Sequence, residues 1–225
     1  MNTLELQMVS VLKKLREEFG AETVKAEFEV EGMRMAEAMR LKDVADAAGI
    51  GITIKLGGGE AIRDMYDCQL LGVQRVVAPM IESAYAMQRF LGAATKIFKT
   101  GDGESVDLVV NVESITSIQA LPEMVQHPVA SSLDGVVVGR GDVAGSLGRD
   151  ASLPFFRSLP EGSLDRYDVR KIIFGCPAGL GPRAAEGLAE AVRFEMLWLQ
   201  NKRNYYQHTV GENRERLELL EARFK

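Results

Sequence analysis

Glu113 and Asp142 are the residues of this chain whose placement points most directly to chemistry. Each follows a β-branched run, VDLVVNVES (106–114) for the first and LDGVVVGRGDVAGSLG (133–148) for the second. In parallel α/β folds the C-terminal ends of strands open onto the ligand crevice. Two carboxylates delivered there can share a divalent cation. Hard cations such as Mg2+ accept one or two protein carboxylates and complete their shell with water and substrate oxygens. The competing explanation is that each acid caps the helix that follows it.

Other polar residues stand near the same predicted rim. Lys55 ends the run ITIK and precedes Gly57, Gly58 and Gly59. A cation at a strand end before a glycine-rich helix entry suits an anionic ligand, although a solvated lysine beside a flexible turn has the same sequence. Asn111 lies two residues before Glu113 and therefore shares its face of the strand. It can donate to a carbonyl oxygen or satisfy a backbone group. Glu27, Glu29 and Glu31 alternate along the first expected strand, where unpaired charge is costly. Salt bridges to Lys25, Arg34 or Lys55 are one explanation, favoured for Glu27. A place at the barrel mouth, with Glu29 or Glu31 assisting proton transfer, is the other, favoured for Glu29. Glu82 can line the pocket, and Ser83 suits a helix cap. Cys176 is expected to be a small buried thiol. His127 and His208 stand away from predicted strand ends, which argues against histidine-driven catalysis or a zinc site.

The elements that must carry these groups alternate. Strands are expected at VKAEFEV (24–30), ITIKLG (52–57), VQRVVAP (73–79), DLVVNV (107–112), GVVVG (135–139) and RKIIFGC (170–176). Helices are expected at 32–49, 60–72, 83–98 and 115–126, with a long one from Pro182. Such a rhythm implies an α/β fold with a mainly parallel sheet, read here as a TIM-barrel-like (β/α)8 arrangement. Six strands fall short of the eight a closed barrel needs. The segment 149–168 carries no clear strand, so the barrel is expected to be incomplete or closed by a neighbouring subunit. One domain over 1–225 is expected, with an N-terminal helix at 1–20 and C-terminal helices over 182–225. The stretch LELLEARF (217–224) reads as amphipathic, and such a terminal helix packs on a partner subunit or back on the barrel.

Composition narrows the function classes. The chain has 225 residues, 46% of them apolar, enough for a substantial core, and a net charge of -5. No basic tract supports nucleic-acid binding, and an anionic membrane surface would repel the chain. No apolar run approaches the ~20 residues of a membrane span. A cytoplasmic protein is expected. Two distant cysteines, Cys68 and Cys176, make a disulfide framework improbable on spacing alone.

Three segments together, VAPMIES (77–83), VVNVES (109–114) and DGVVVGRGDVAGSLG (134–148), resemble the pyruvate-dependent class II aldolases of the HpcH/HpaI aldolase and citrate lyase β-subunit superfamily. The last is the most specific, an apolar strand followed by Gly-x-x-Asp and Ser-Leu-Gly. The resemblance covers roughly residues 24–148. It implies a (β/α)8 barrel, a homo-oligomer, and a bound Mg2+, with Mn2+ or Co2+ as alternatives. By this resemblance Glu113 and Asp142 match the metal ligands and Asn111 a position facing the substrate carbonyl. Gly141 falls where a backbone N–H meets the pyruvate carboxylate, and Lys55 where the family has an enolate-stabilising arginine. The implied activity is carbon–carbon lyase or aldolase chemistry through the enolate of a pyruvate-like 2-oxo acid. A citrate-lyase-like acyl-CoA lyase and a non-catalytic ligand-binding barrel are the alternatives. The chain departs from the pattern at Val30, which stands where the family has a histidine beside a glutamate. It departs again at Lys55, where lysine lacks the guanidinium fork, and after Gly148, where the spacing is short.

Overall fold

The computed structural model describes residues 1–98, 105–148, 167–169, 172–174, 183–208, 217–218 and 221–222. In chain order the elements are α1 (Thr3–Phe19), β1 (Ala21–Glu27), α2 (Met35–Ala48), β2 (Gly51–Lys55), α3 (Ile62–Leu71), β3 (Arg75–Ala78), α4 (Ala84–Phe98) and β4 (Asp107–Val112). There follow α5 (Ile115–Gln126), a 3-10 turn (Pro128–Ser132), β5 (Gly135–Val138), α6 (Arg140–Ser146), β6 (Tyr167–Val169), β7 (Ile172–Phe174) and α7 (Ala184–His208). They fall into two compact units. One comprises Lys25–Lys42 and Gly51–Asp165, and the other Met1–Val24, Asp43–Ile50 and Arg166–Lys225.

The first of these units holds an incomplete (β/α) barrel. Strands β1 to β5 lie side by side in sequence order. From β2 to β5 the pairing is parallel, with Lys55 beside Val77, Val77 beside Val109, and Asn111 beside Val137. Each strand feeds a helix, so the barrel-like α/β architecture expected from the rhythm is borne out. One sheet face is wholly apolar: Ile52, Ile54, Val76, Ala78, Leu108, Val110 and Val112 are all buried. Helices cover such a face, as the buried stripe Met87, Phe90, Leu91, Ala94 and Ile97 on α4 does. The opposite face carries Thr53, Lys55, Arg75, Asn111 and, one residue past β4, Glu113, also buried. Polar groups this deep must be paired. At the N-terminal end of β3 and β4, Arg75 pairs with Asp107 at 2.8 Å. Lys55, Asn111 and Glu113 lie toward the C-terminal ends. Val77 and Val109 stand in the same row as Lys55, one step beyond Arg75 and Asp107 on that face and one step before Asn111.

Local chemistry sets the boundaries. Gly49 ends α2 with φ +68°, and Gly72 caps α3 with φ +62°. Only glycine adopts that region without strain. Ser114 caps α5, its hydroxyl accepting from the Ser117 N–H. The first strand is displaced from its expected span. It runs Ala21–Glu27, so Glu29 and Glu31 lie beyond it, in a turn where the Gly32 N–H donates to Glu29 O and the Met33 N–H to Glu27 O. The alternation of three glutamates is thus not one strand face. Glu27 pairs with Lys25 at 3.1 Å.

In the other unit α1 packs on α7, burying Met8, Leu12 and Leu15 on one helix and Phe194 and Trp198 on the other. Asn2 and Glu5 form a capping box at the start of α1, and Asn2 Nδ2 donates to Asn201 Oδ1 at 2.8 Å. The start of β1 pairs antiparallel with β7, and β7 antiparallel with β6. The strand expected at 170–176 is present as β7 but runs antiparallel to its neighbours, and β6 begins at Tyr167 within the segment 149–168 that shows no clear strand in sequence. Only two residues separate β6 from β7, and a parallel connection needs a crossover of about a dozen or more. Residues 149–166 and half of LELLEARF (219–220 and 223–224) lie outside the described residues. No described helix is long and apolar enough to cross a membrane.

Candidate active site

The polar groups on the strand face converge at the C-terminal ends of β2, β4 and β5. Glu113 emerges directly after β4, only 2% exposed. Its Oε1 accepts from the Met80 N–H at 2.9 Å, and its Oε2 accepts from Asn111 Nδ2 at 2.8 Å. Lys55 Nζ reaches the same Oε2 at 3.3 Å and Glu29 Oε2 at 2.8 Å. The contact to Glu29 is an ion pair that falls outside directed hydrogen-bond geometry. Glu113 is therefore held from three sides by groups on three strand ends.

Asp142 arrives differently from the way its sequence implied. It does not directly follow the strand, because Gly139, Arg140 and Gly141 intervene and place it in the first turn of α6. The far end of α6 is tied to the start of α5 through Ser146 Oγ, which accepts the Ile115 N–H at 2.9 Å. Gly139 makes the approach possible. A Cβ built there would sit 3.1 Å from Glu113 Oε2 and 3.6 Å from Asp142 Oδ2, so both carboxylates border the same small space. The two acids do meet.

The electrostatics follow from this crowding. Burial of the Asp142 carboxyl and the neighbouring Glu113 charge push its pKa up, with Lys55 opposing. Two carboxylates with too little compensating charge are a natural cation site. For Lys55, burial acts to lower the pKa, but Glu29, Glu113 and Glu27 outweigh it and the net shift is upward. The ammonium therefore stays protonated and acts as fixed positive charge. Asn111 is 4% exposed, and its Oδ1 is a buried acceptor with no hydrogen-bond partner. The two carboxylates at Gly139 make a donor pair suited to a hard divalent ion. Among the described residues no group of three or more His, Cys, Asp and Glu side chains is placed to hold a metal.

The remaining candidates sit close by. Glu82 accepts from the hydroxyl of Ser114, the residue after Glu113. Ser83 caps α4, its Oγ accepting from the Ala86 N–H at 3.1 Å. Gly141 is exposed at the second position of α6, where backbone N–H groups lack intrahelical acceptors. Gly57 is engaged by Asp64, whose Oδ2 accepts its N–H at 2.7 Å. Cys68 is buried, its thiol pushed up by burial and by Asp64 and Asp67, and Cys176 lies outside the described residues. Two parts of the site carry no sequence signal of their own. Met80 holds φ 50°, a left-handed conformation uncommon for a non-glycine residue, and this aims its N–H at Glu113. Gly139, read only as a strand end, is the gap through which the carboxylates meet.

No family model matches the chain, and no curated protein matches it by sequence. Solved structures do match in fold. An HpcH/HpaI aldolase/citrate lyase family protein from Burkholderia cenocepacia superposes with TM-score 0.52 at 13% identity, covering 88% of this chain and 82% of its own. An HpcH/HpaI aldolase from Desulfitobacterium hafniense gives 0.51 at 12% identity, over 83% of this chain and 68% of its own. A variant of citrate synthase SbnG gives 0.50 at 14% identity over 70% of this chain, which spans 61% of that protein's length. The resemblance carried by the three sequence segments is borne out as a resemblance of fold: this chain has the architecture of those aldolase and lyase proteins.

Proposed function

We propose that the chain is a carbon–carbon lyase or aldolase acting on a 2-oxo acid, with a divalent cation, Mg2+ first, held by Glu113 and Asp142. The observation that carries this reading is the meeting of those two carboxylates at Gly139 beside the buried Lys55. The fold shared with HpcH/HpaI aldolase and citrate lyase proteins supports it. A cation in that position would supply Lewis-acid polarisation of a bound keto group and carboxylate.

The chain's own groups do the rest. Lys55 presents an ammonium to the negative charge that develops on the keto oxygen as the enolate forms. A preplaced charge in a water-poor site stabilises such a species strongly. Asn111 fixes Glu113 with its amide N–H and leaves Oδ1 to accept from a water or substrate hydroxyl. Gly141 offers a backbone N–H to the substrate carboxylate, and Glu82 braces the Ser114 corner of the pocket. Because Lys55 is held protonated it cannot take the substrate proton. Glu29, whose side chain is 30% exposed, or a water carries it instead.

Pyruvate release from 4-hydroxy-2-oxo acids, with and without EDTA, tests the reading. Activity is expected to fall in chelator and in Glu113→Ala. Full activity in either overturns it.

One observation favours a second reading. Lys55 Nζ already sits 3.3 Å from Glu113, so the pair is partly neutralised by the chain itself, as in a non-catalytic ligand-binding barrel. Thermal shift with Mn2+ and oxalate separates the two. A catalytic site shows each ligand strengthening the other's stabilisation, and a scaffold shows none.

A further inference from the structure

We infer that Glu29 is a positioning residue for the cation site: it holds the Lys55 ammonium back from Glu113 and so leaves Glu113 able to take a divalent ion. The inference rests on the metal assignment of Glu113 and Asp142 proposed above and adds a task that the proton-carrying role of Glu29 does not include.

Lys55 stands between two acids, nearer to Glu29 (2.8 Å) than to Glu113 (3.3 Å). Its side chain is 7% exposed, so water cannot replace a lost partner freely. Glu113 already accepts from the Met80 N–H, from Asn111 and, at a long 3.3 Å, from Lys55 Nζ. A carboxylate has room for about four hydrogen-bond partners, and a fully docked ammonium would occupy one of the last directions open to a cation. It would also place a positive charge where the ion must sit. Glu29 competes for the ammonium from a turn outside the strand, where a carboxylate can move without disturbing the sheet. The backbone fixes the geometry, because the Phe28 N–H donates to Lys55 O at 2.9 Å and so sets Glu29 alongside the end of β2. An arginine in place of Lys55 could engage both acids at once through its fork. A lysine offers a single nitrogen, so its position becomes a competition that the tether decides.

The test is Mn2+ affinity of the full chain, read from the free-ion EPR signal, in Glu29→Ala, Lys55→Met and the double variant. Tethering predicts that Glu29→Ala weakens Mn2+ by about tenfold, in the range for residues that orient metal ligands. In the Lys55→Met background the same change leaves affinity within about twofold. Weakening of equal size in both backgrounds means that Glu29 acts on the ion by its own charge and overturns the inference. So does wild-type affinity in Glu29→Ala. If Lys55→Met does not fold, a crystal structure of Glu29→Ala decides. Nζ closer to Glu113 than the present 3.3 Å supports the tether, and an unmoved Nζ overturns it. Wild-type protein that binds no Mn2+, or Glu113→Ala that binds as tightly as wild type, sinks the metal assignment itself. Tight wild-type binding lost in Glu113→Ala but kept in Glu29→Ala sinks the tether alone.

Discussion

Gly139→Ala is the perturbation that bears most directly on the site. Gly139 has φ −78° and ψ 80°, negative-φ backbone that an alanine can adopt, so the cost of the change is one of contact. The new Cβ would lie 2.7 Å from Glu113 Cβ and 3.1 Å from its Oε2. Carbon atoms rest at about 3.5–4.0 Å, so Glu113 or the start of α6 must move by about 1 Å. Glu113 has little freedom to yield, because the Met80 N–H, Asn111 and Lys55 all hold it. Overpacking of this kind costs about 1–3 kcal/mol. At about 2 kcal/mol, a chain of this size loses roughly 4–8 °C of Tm. Gly141→Ala is the control. A Cβ there meets nothing within 4 Å, and alanine suits a helix better than glycine by about 1 kcal/mol, so its Tm should hold or rise. Scanning calorimetry with and without Mn2+ reads both effects. Gly139→Ala should melt lower and lose its Mn2+ response, whereas Gly141→Ala should keep both. A Gly139→Ala protein that melts with wild type and gains as much from Mn2+ would refute the claim that the two carboxylates converge there.

Further predictions concern the backbone, the charge balance and the N-terminal helix. Met80→Gly relieves a left-handed backbone cost of about 1–2 kcal/mol against an unfolded-chain entropy loss of about 0.4–1 kcal/mol, so its stability should hold or rise slightly with Mn2+ affinity intact, while Met80→Ile, forced into a left-handed conformation, should cost about 1–3 kcal/mol and weaken Mn2+. Equal melting temperatures for the two variants would dispose of the strain argument. Asp142 has its native pKa raised, first by burial and then by Glu113, so the native state holds that proton more tightly than the unfolded chain. Its contribution to stability therefore declines as pH rises past the ordinary value of 3.8. The stability of Asp142→Asn relative to wild type should grow from acid to neutral pH without divalent ion and reverse with saturating Mn2+. A gap independent of pH in urea titrations would remove the repulsion from the account. Asn2→Ala should cost about 1 kcal/mol by removing the α1 cap, with Mn2+ affinity unchanged in the same preparation. An unchanged urea midpoint would show that the cap contributes nothing.

Much of this molecule was determined by the sequence alone. Apolar runs separated by helical periods specify the βα order, because a strand buried on both faces must be almost wholly apolar and each helix must bury one stripe. The polar interruptions Lys55, Asn111 and Glu113 stand out against that background, since a buried charge survives only when paired, and they marked the site. The tertiary structure decided how those groups are arranged. No local pattern tells that Glu29 leaves the strand after Glu27, since a strand ends where its partners stop pairing with it and the period-two facing holds only inside the strand. The antiparallel pairing of β6 and β7 follows from a two-residue connection whose first strand has too few residues to show a period. Met80 turns its amide toward Glu113, and Gly139 admits two carboxylates to one space, only because strands distant in sequence end side by side. Residue spacing along a chain encodes which face a group shares with its neighbours. The distance between groups on different strands depends on register and on backbone conformation, and neither of those is written locally.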